Sequence, residues 1–227
     1  MSWQLPLLRV RRLRHRAGAR NTALKNCWKT PLPSTTNDWR QCSFLACDAE
    51  MSSLDPNNGE LLSLGWISIE RGMVQLASAE HHLIQPQHSV GQSAAIHNLR
   101  DCEFAAAQSP EQVAARFLKV ATGRVLVFHN ARLDLAFLDR ACRQIYNAPL
   151  LLPYADTMAA EHKILYRDHQ VIQSGDLRLQ ACRARYNLPP CPAHNALQDA
   201  LATAELLLAQ AAKRSGGGAL PLGDLLA

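Results

Sequence analysis

Seven residues, Phe44-Leu45-Ala46-Cys47-Asp48-Ala49-Glu50, constrain this chain more than any other stretch. They form a short apolar run, the mark of a buried strand, ending in two carboxylates two positions apart. Strand side chains alternate between faces, so Asp48 and Glu50 project on the same side. Two adjacent anions repel one another unless something positive sits between them. A hard divalent cation, which prefers oxygen ligands, answers that need. Taken alone, an Asp-x-Glu is more often a strand running into an acidic, solvated turn, so its meaning depends on the rest of the chain.

The 227 residues suffice for one large domain or a domain plus a tail, and an apolar share of 48% supplies a core. No apolar run approaches the roughly 18 residues of a membrane span. The seven cysteines are scattered, odd in number and without a Cys-x-x-Cys, which predicts reduced thiols in an intracellular, cytoplasmic protein. Cys191 and His194 would be half a zinc site, and no second half is evident. Charge is unevenly spread. Residues 1–40 hold nine Lys/Arg and one acid, a net +8, while residues 41–227 hold 15 and 18, a net −3.

That contrast sets residues 1–40 apart as a basic N-terminal extension and linker. Three roles compete for it: a solvated tail or a helix lying on the domain, an arm touching phosphates, or an Arg-rich, acid-poor targeting peptide. Trp28 and Trp39, with Trp3, predict that part of it packs on the domain. The domain itself is expected over residues 41–213, followed by a tail over 214–227.

After the first strand, Asp55-Pro56-Asn57-Asn58-Gly59 reads as a turn. Two apolar-rich runs, 61–70 and 73–84, flank Arg71-Gly72 and predict a hairpin, although Arg-Gly is not the favoured turn pair. Ser109-Pro110-Glu111 opens a helix ending at Thr122-Gly123. Val125–Phe128 is a short buried strand, followed by a helix over about 131–146 with Asp134 in its first turn. A strand is expected over Pro149–Ala155, then helices from Asp156-Thr157 to about Tyr166 and from Asp176 to Tyr186. The last helix runs from about Asn195 to Lys213, and an apolar tail beyond Ser215-Gly216-Gly217-Gly218 is expected to fray. This order predicts an α/β fold, a mixed β-sheet flanked by helices.

Asp134, His194 and Asp199 then join Asp48 and Glu50. Four carboxylates and an imidazole suit one chemistry. Two Mg²⁺ or Mn²⁺ ions about 3.5–4 Å apart clamp the attacking and departing oxygens of a phosphodiester, and a histidine near neutrality takes the proton from water. Each residue also has an ordinary reading: Asp134 as a charge complementing a helix dipole, Asp199 on a helix surface, His194 in a loop.

Three stretches carry a resemblance: Cys47 to Pro56, Val127 to Leu138, and His194-Asn195-Ala196-Leu197-Gln198-Asp199-Ala200. In that order, over about residues 43–212, they are similar to the DEDDh (DnaQ-like) 3′→5′ exonucleases, the family of the proofreading subunit of bacterial DNA polymerase III and of oligoribonuclease. The resemblance implies a ribonuclease H-like fold with Asp48 bridging two metals, Glu50 and Asp199 completing one site, Asp134 holding the second metal, and His194 as general base. It also places Met51, Ser52, Leu54, His97, His129 and Asn130 near the substrate, a single-stranded 3′ end, with DNA favoured. A polymerase or clamp is a candidate partner, and the apolar C-terminal peptide a candidate docking element. The same centre would serve an RNA-trimming exoribonuclease.

The chain departs from the family at two points. Met51-Ser52-Ser53 stands where Thr-Thr-Gly or Thr-Gly is usual, and Ser53 has a Cβ where Gly lets a ligand approach the backbone. Leu133 replaces a common Phe before Asp134, and losing an aromatic base contact costs about 1–3 kcal/mol in single-strand binders. A non-catalytic nucleotide- or nucleic-acid-binding module is therefore the competing class.

Overall fold

The computed structural model describes residues 4–19, 22–86, 107–192 and 195–227. Its centre is a five-stranded mixed sheet in the order β3-β2-β1-β4-β5. β1 (Phe44–Met51) lies in the middle, antiparallel to β2 (Leu61–Glu70) and parallel to β4 (Val125–Phe128). β3 (Met73–Leu83) pairs antiparallel with β2, and β5 (Tyr154–Asp156) parallel with β4. The hairpin forms at Arg71-Gly72 as expected. Both residues have positive φ, 53° and 70°, as in the type I′ turns whose twist matches a two-residue hairpin. Arginine tolerates that conformation at some cost, which is why its sequence signal is weak.

Helices cover both faces of the sheet. On one, α3 (Pro110–Ala121) puts Phe117 5.9 Å from the buried Trp66 of β2. A full capping box starts α3: Ser109 accepts from the Gln112 N–H, and the Gln112 side chain accepts from the Ser109 N–H. On the other face, α7 (Ala196–Ser215) lies across β1 and β2. Between them in sequence come α4 (Ala131–Tyr146), α5 (Thr157–Arg167) and the short α6 (Leu179–Ala184). Two expected elements are shorter than their sequence signal. β5 spans three residues because only Leu126–Phe128 face it, and α6 has six residues because 176–178 make a turn.

The first and last described segments join the core. α1 (Gln4–His15) buries Leu5 and Leu8, and α2 (Thr22–Lys29) buries Leu24, Cys27 and Trp28. Gln4 both donates to the Tyr154 carbonyl and accepts from the Tyr154 N–H, as a further strand would on the open edge of β5. The C-terminal segment is not frayed. Leu220, Leu222, Leu225 and Leu226 are buried, and the segment pairs with the chain around Asp38 through Trp39 N–H to Leu220 O and Leu222 N–H to Asn37 O. A peptide so engaged has little apolar surface left to dock a partner. No described helix is long and apolar enough to cross a membrane, and the six described cysteines are free thiols.

Candidate active site

The site forms where β1 outlasts β4. The parallel pairing runs only from Phe44–Val125 to Ala46–Val127, leaving the β4-side edge of β1 open beyond it. Asp134, in the first turn of α4, fills that edge: its Oδ1 accepts the Ala49 N–H at 3.1 Å. A carboxylate is thereby locked beside Asp48 and Glu50, with only 4% of its surface exposed.

The third wall is α7. Directly paired residues of an antiparallel ladder point to the same face, and Gly65 pairs with Asp48. A Cβ on Gly65 would stand 2.3 Å from the Leu197 N and 2.4 Å from the Ala196 C, so the first turn of α7 rests on the backbone of Gly65. Asn195 caps that turn by accepting from Gln198 N–H. Asp199, in the same turn, comes to the Asp48–Glu50 face. Oxygens of Asp48, Glu50 and Asp199 lie within 4.8 Å of one another, an all-oxygen donor set suited to a divalent cation.

Crowding shows in the proton affinities. Burial, then the charges of Asp134, Asp199 and Glu50, pushes Asp48 well above the usual carboxylate range. Burial also pushes Asp134 up to about 8; the Ala49 N–H opposes this, and the charges of Asp156 and Glu50 add to it. Anions held this close favour either protons or a bound cation.

The remaining sequence-predicted residues fall into three groups. Met51 is buried at a bulge after Glu50, and Ser52 closes the following loop by donating its N–H to Glu60 O and accepting from Glu60 N–H. Leu54 stands at the loop tip, 80% exposed. The Ser53 hydroxyl accepts from Asp55 N–H, so this serine stabilises its own turn. His129 is engaged at both nitrogens, with the Thr157 hydroxyl and the Leu177 carbonyl each at 2.8 Å, and burial lowers its pKa. Asn130 starts α4 in the left-handed conformation, φ 77°. His97 and His194 lie outside the described residues.

Two residues were missed at the sequence level. Gly65 is one; a lone glycine inside a strand signals close backbone approach. Asp156 is the other. Its carboxylate accepts from Asn130 and Ala131 N–H at the start of α4 and from Met158 and Ala159 N–H at the start of α5. The sequence shows its capping of α5, whereas the bonds to α4, which set where Asp134 begins, are long-range.

A family profile described as Exonuclease matches residues 45–207. The PolC-type DNA polymerase III of Thermotoga petrophila is 27% identical over 176 residues, 77% of this chain and 12% of the relative. A DNA polymerase III subunit epsilon-like protein of Rhodobacter capsulatus is 29% identical over 182 residues, 79% of this chain and 24% of the relative. The chain thus spans a quarter or less of the length of these relatives. Among solved structures, cell-death related nuclease 4 superposes with a TM-score of 0.62 at 14% identity, over 77% of this chain and 64% of that one. E. coli Exonuclease I in complex with a dT13 oligonucleotide gives 0.63 at 17%, over 78% and 41%. These likenesses show the fold, the ribonuclease H-like exonuclease architecture.

Proposed function

The chain belongs to the DnaQ-like exonuclease family, and from that premise we propose that it is a 3′→5′ exonuclease releasing nucleoside 5′-monophosphates from single-stranded ends. One observation carries the reading: three carboxylates converge within 4.8 Å while a fourth is pinned beside them by a backbone N–H. A family of hydrolases acting on phosphodiesters, and a donor set made of oxygens, fit Mg²⁺ or Mn²⁺. Asp48, Glu50 and Asp199 would hold one ion, and Asp48 with Asp134 a second. Ions bound there supply Lewis-acid activation of the phosphodiester and charge neutralisation of the leaving oxygen.

The protein's own groups do the rest. His194, five positions before Asp199, takes the proton of the attacking water as general base. Asp134 keeps the open edge of β1 satisfied and fixes its carboxylate against the leaving group's side. The loop from Met51 to Leu54 shapes the pocket of the terminal nucleotide. Relatives named as DNA polymerase III support DNA over RNA as the substrate.

The test is kinetic. Asp48→Ala should abolish hydrolysis of a labelled single-stranded oligomer while leaving thermal unfolding cooperative. His194→Ala should lower kcat by roughly 10²–10⁴-fold, the usual contribution of a general base. Near-wild-type turnover in Asp48→Ala would sink the proposal, and a loss under threefold in His194→Ala would remove that residue from its role.

A further inference from the structure

The layer built by α1 and α2 precedes the family-matched region, and it holds a groove of about 500 Å³. Arg9, Arg12, Arg16, Lys25 and Lys29 line it, with Trp28 in its wall and no Asp or Glu in its lining. Arg12 is the unusual member. It is only 8% exposed, and its guanidinium donates to the carbonyls of Leu151 (2.9 Å) and Trp28 (3.5 Å). Among the described residues it has no carboxylate partner. A buried cation without an anion is costly, and it favours whatever anion enters the groove. The indole N–H of Trp28, also buried, has no acceptor among the described residues.

The position of the groove matters as much as its charge. Arg12 bonds Leu151, which precedes the start of β5 at Tyr154. Thr30, at the groove, approaches Gly123 just before β4 begins, whereas the carboxylates lie beyond the end of β4. The groove therefore sits at the opposite end of the sheet from the site. Residues 41–227 carry a net −3 and would repel a polyanion, whereas residues 1–40 carry +8.

We infer that the α1–α2 groove binds the phosphate backbone of single-stranded nucleic acid upstream of the 3′ end held at the carboxylates. This rests on the nuclease reading above. A concave cleft between two helices takes a strand of phosphates, where a flat lipid surface would not enter. Substrates too short to span the two sites gain nothing from it, so the groove selects by length.

The experiment uses the full chain and fluorescein-labelled dT5 and dT30, with binding read by anisotropy in EDTA and hydrolysis read separately in Mg²⁺. The variant is Arg9→Glu/Arg16→Glu/Lys29→Glu, all exposed positions. Its charge-matched control is Arg71→Glu/Lys119→Glu/Lys213→Glu, also exposed. The variant should bind dT30 at least tenfold more weakly, with a salt slope smaller by about 2, given roughly 0.7 per single-strand phosphate. Its hydrolysis of dT5 should match wild type within twofold, and the control should bind dT30 as wild type does. Unchanged dT30 affinity in the groove variant, or an equal loss in the control, overturns the inference. So does a groove-dependent association with phosphatidylserine vesicles or acidic peptide in place of dT30. If wild type binds dT30 through the groove yet hydrolyses nothing in Mg²⁺ or Mn²⁺, the groove stands and the nuclease reading falls.

Discussion

Replacing Gly65 by alanine tests how α7 delivers its carboxylate. The new Cβ would meet the Leu197 N at 2.3 Å and the Ala196 C at 2.4 Å, whereas ordinary contact begins near 3.4 Å. Both neighbours are backbone, so no flexible side chain can swing aside. The first turn of α7 must retreat by about 1 Å, and Asp199 sits in that turn. Overpacking of this kind costs about 1–3 kcal/mol, or roughly 3–9 °C in Tm at this chain length. The functional cost is larger, because a misplacement of about 1 Å at a reacting centre can lower the rate by 10²-fold. Gly65→Ala should therefore lose about two orders of magnitude in kcat/KM, and it should need more Mg²⁺ for half-maximal rate, while remaining folded. Steady-state hydrolysis across a Mg²⁺ titration, paired with a thermal melt, measures both. Wild-type activity together with a wild-type Tm would refute the claim that α7 is seated on this glycine.

Two further outcomes follow from the site's surroundings. Asp156→Ala removes the acceptor for four N–H groups at two helix starts and should cost about 1–4 kcal/mol at 0.5–2 kcal/mol per cap, with reduced activity through Asp134; Asp156→Asn, keeping one acceptor oxygen, should recover part of both in a melt and a rate assay. In EDTA, folded Asp134 keeps its proton up to about 8, whereas the unfolded chain releases it near 3.8. The folded state then binds more protons across that window, so metal-free stability is fully present at the acid end and is lost as pH rises towards 8. Scanning melts from pH 5.5 to 8.5 should show Tm falling in EDTA, a shallower fall in Asp134→Asn, and recovery at pH 8 with Mn²⁺; a flat or rising wild-type profile in EDTA would contradict the crowding of these carboxylates.

What was legible in the sequence was whatever local chemistry encodes. The alternation around Asp48 and Glu50 placed both on one face of a strand, and the family resemblance implied that this strand is central. The Ser109-Pro110 start gave α3, and the spacing of apolar residues gave α4 and α7. Interactions between distant segments were not legible. Nothing near Leu220 or Leu222 predicts pairing with Asn37 to Trp39, some 180 positions away, so an apolar tail read as frayed. Arg12 reads as one more cation in a basic cluster, and only tertiary packing turns it inward. Gly65, a lone glycine in a strand, signals close backbone approach, but not by what, because the helix pressing on it begins more than 130 residues later. The second set of bonds to Asp156 was hidden for the same reason.

The most direct test of the central claim is a time course on single-stranded DNA labelled at its 5′ end, with the purified chain in Mg²⁺, Mn²⁺ or EDTA, beside a matched RNA. The account predicts a ladder that shortens step by step from the 3′ end, faster on DNA, absent in EDTA and absent in Asp48→Ala. A label released at once as a mononucleotide, or cleavage that persists in EDTA, would contradict it.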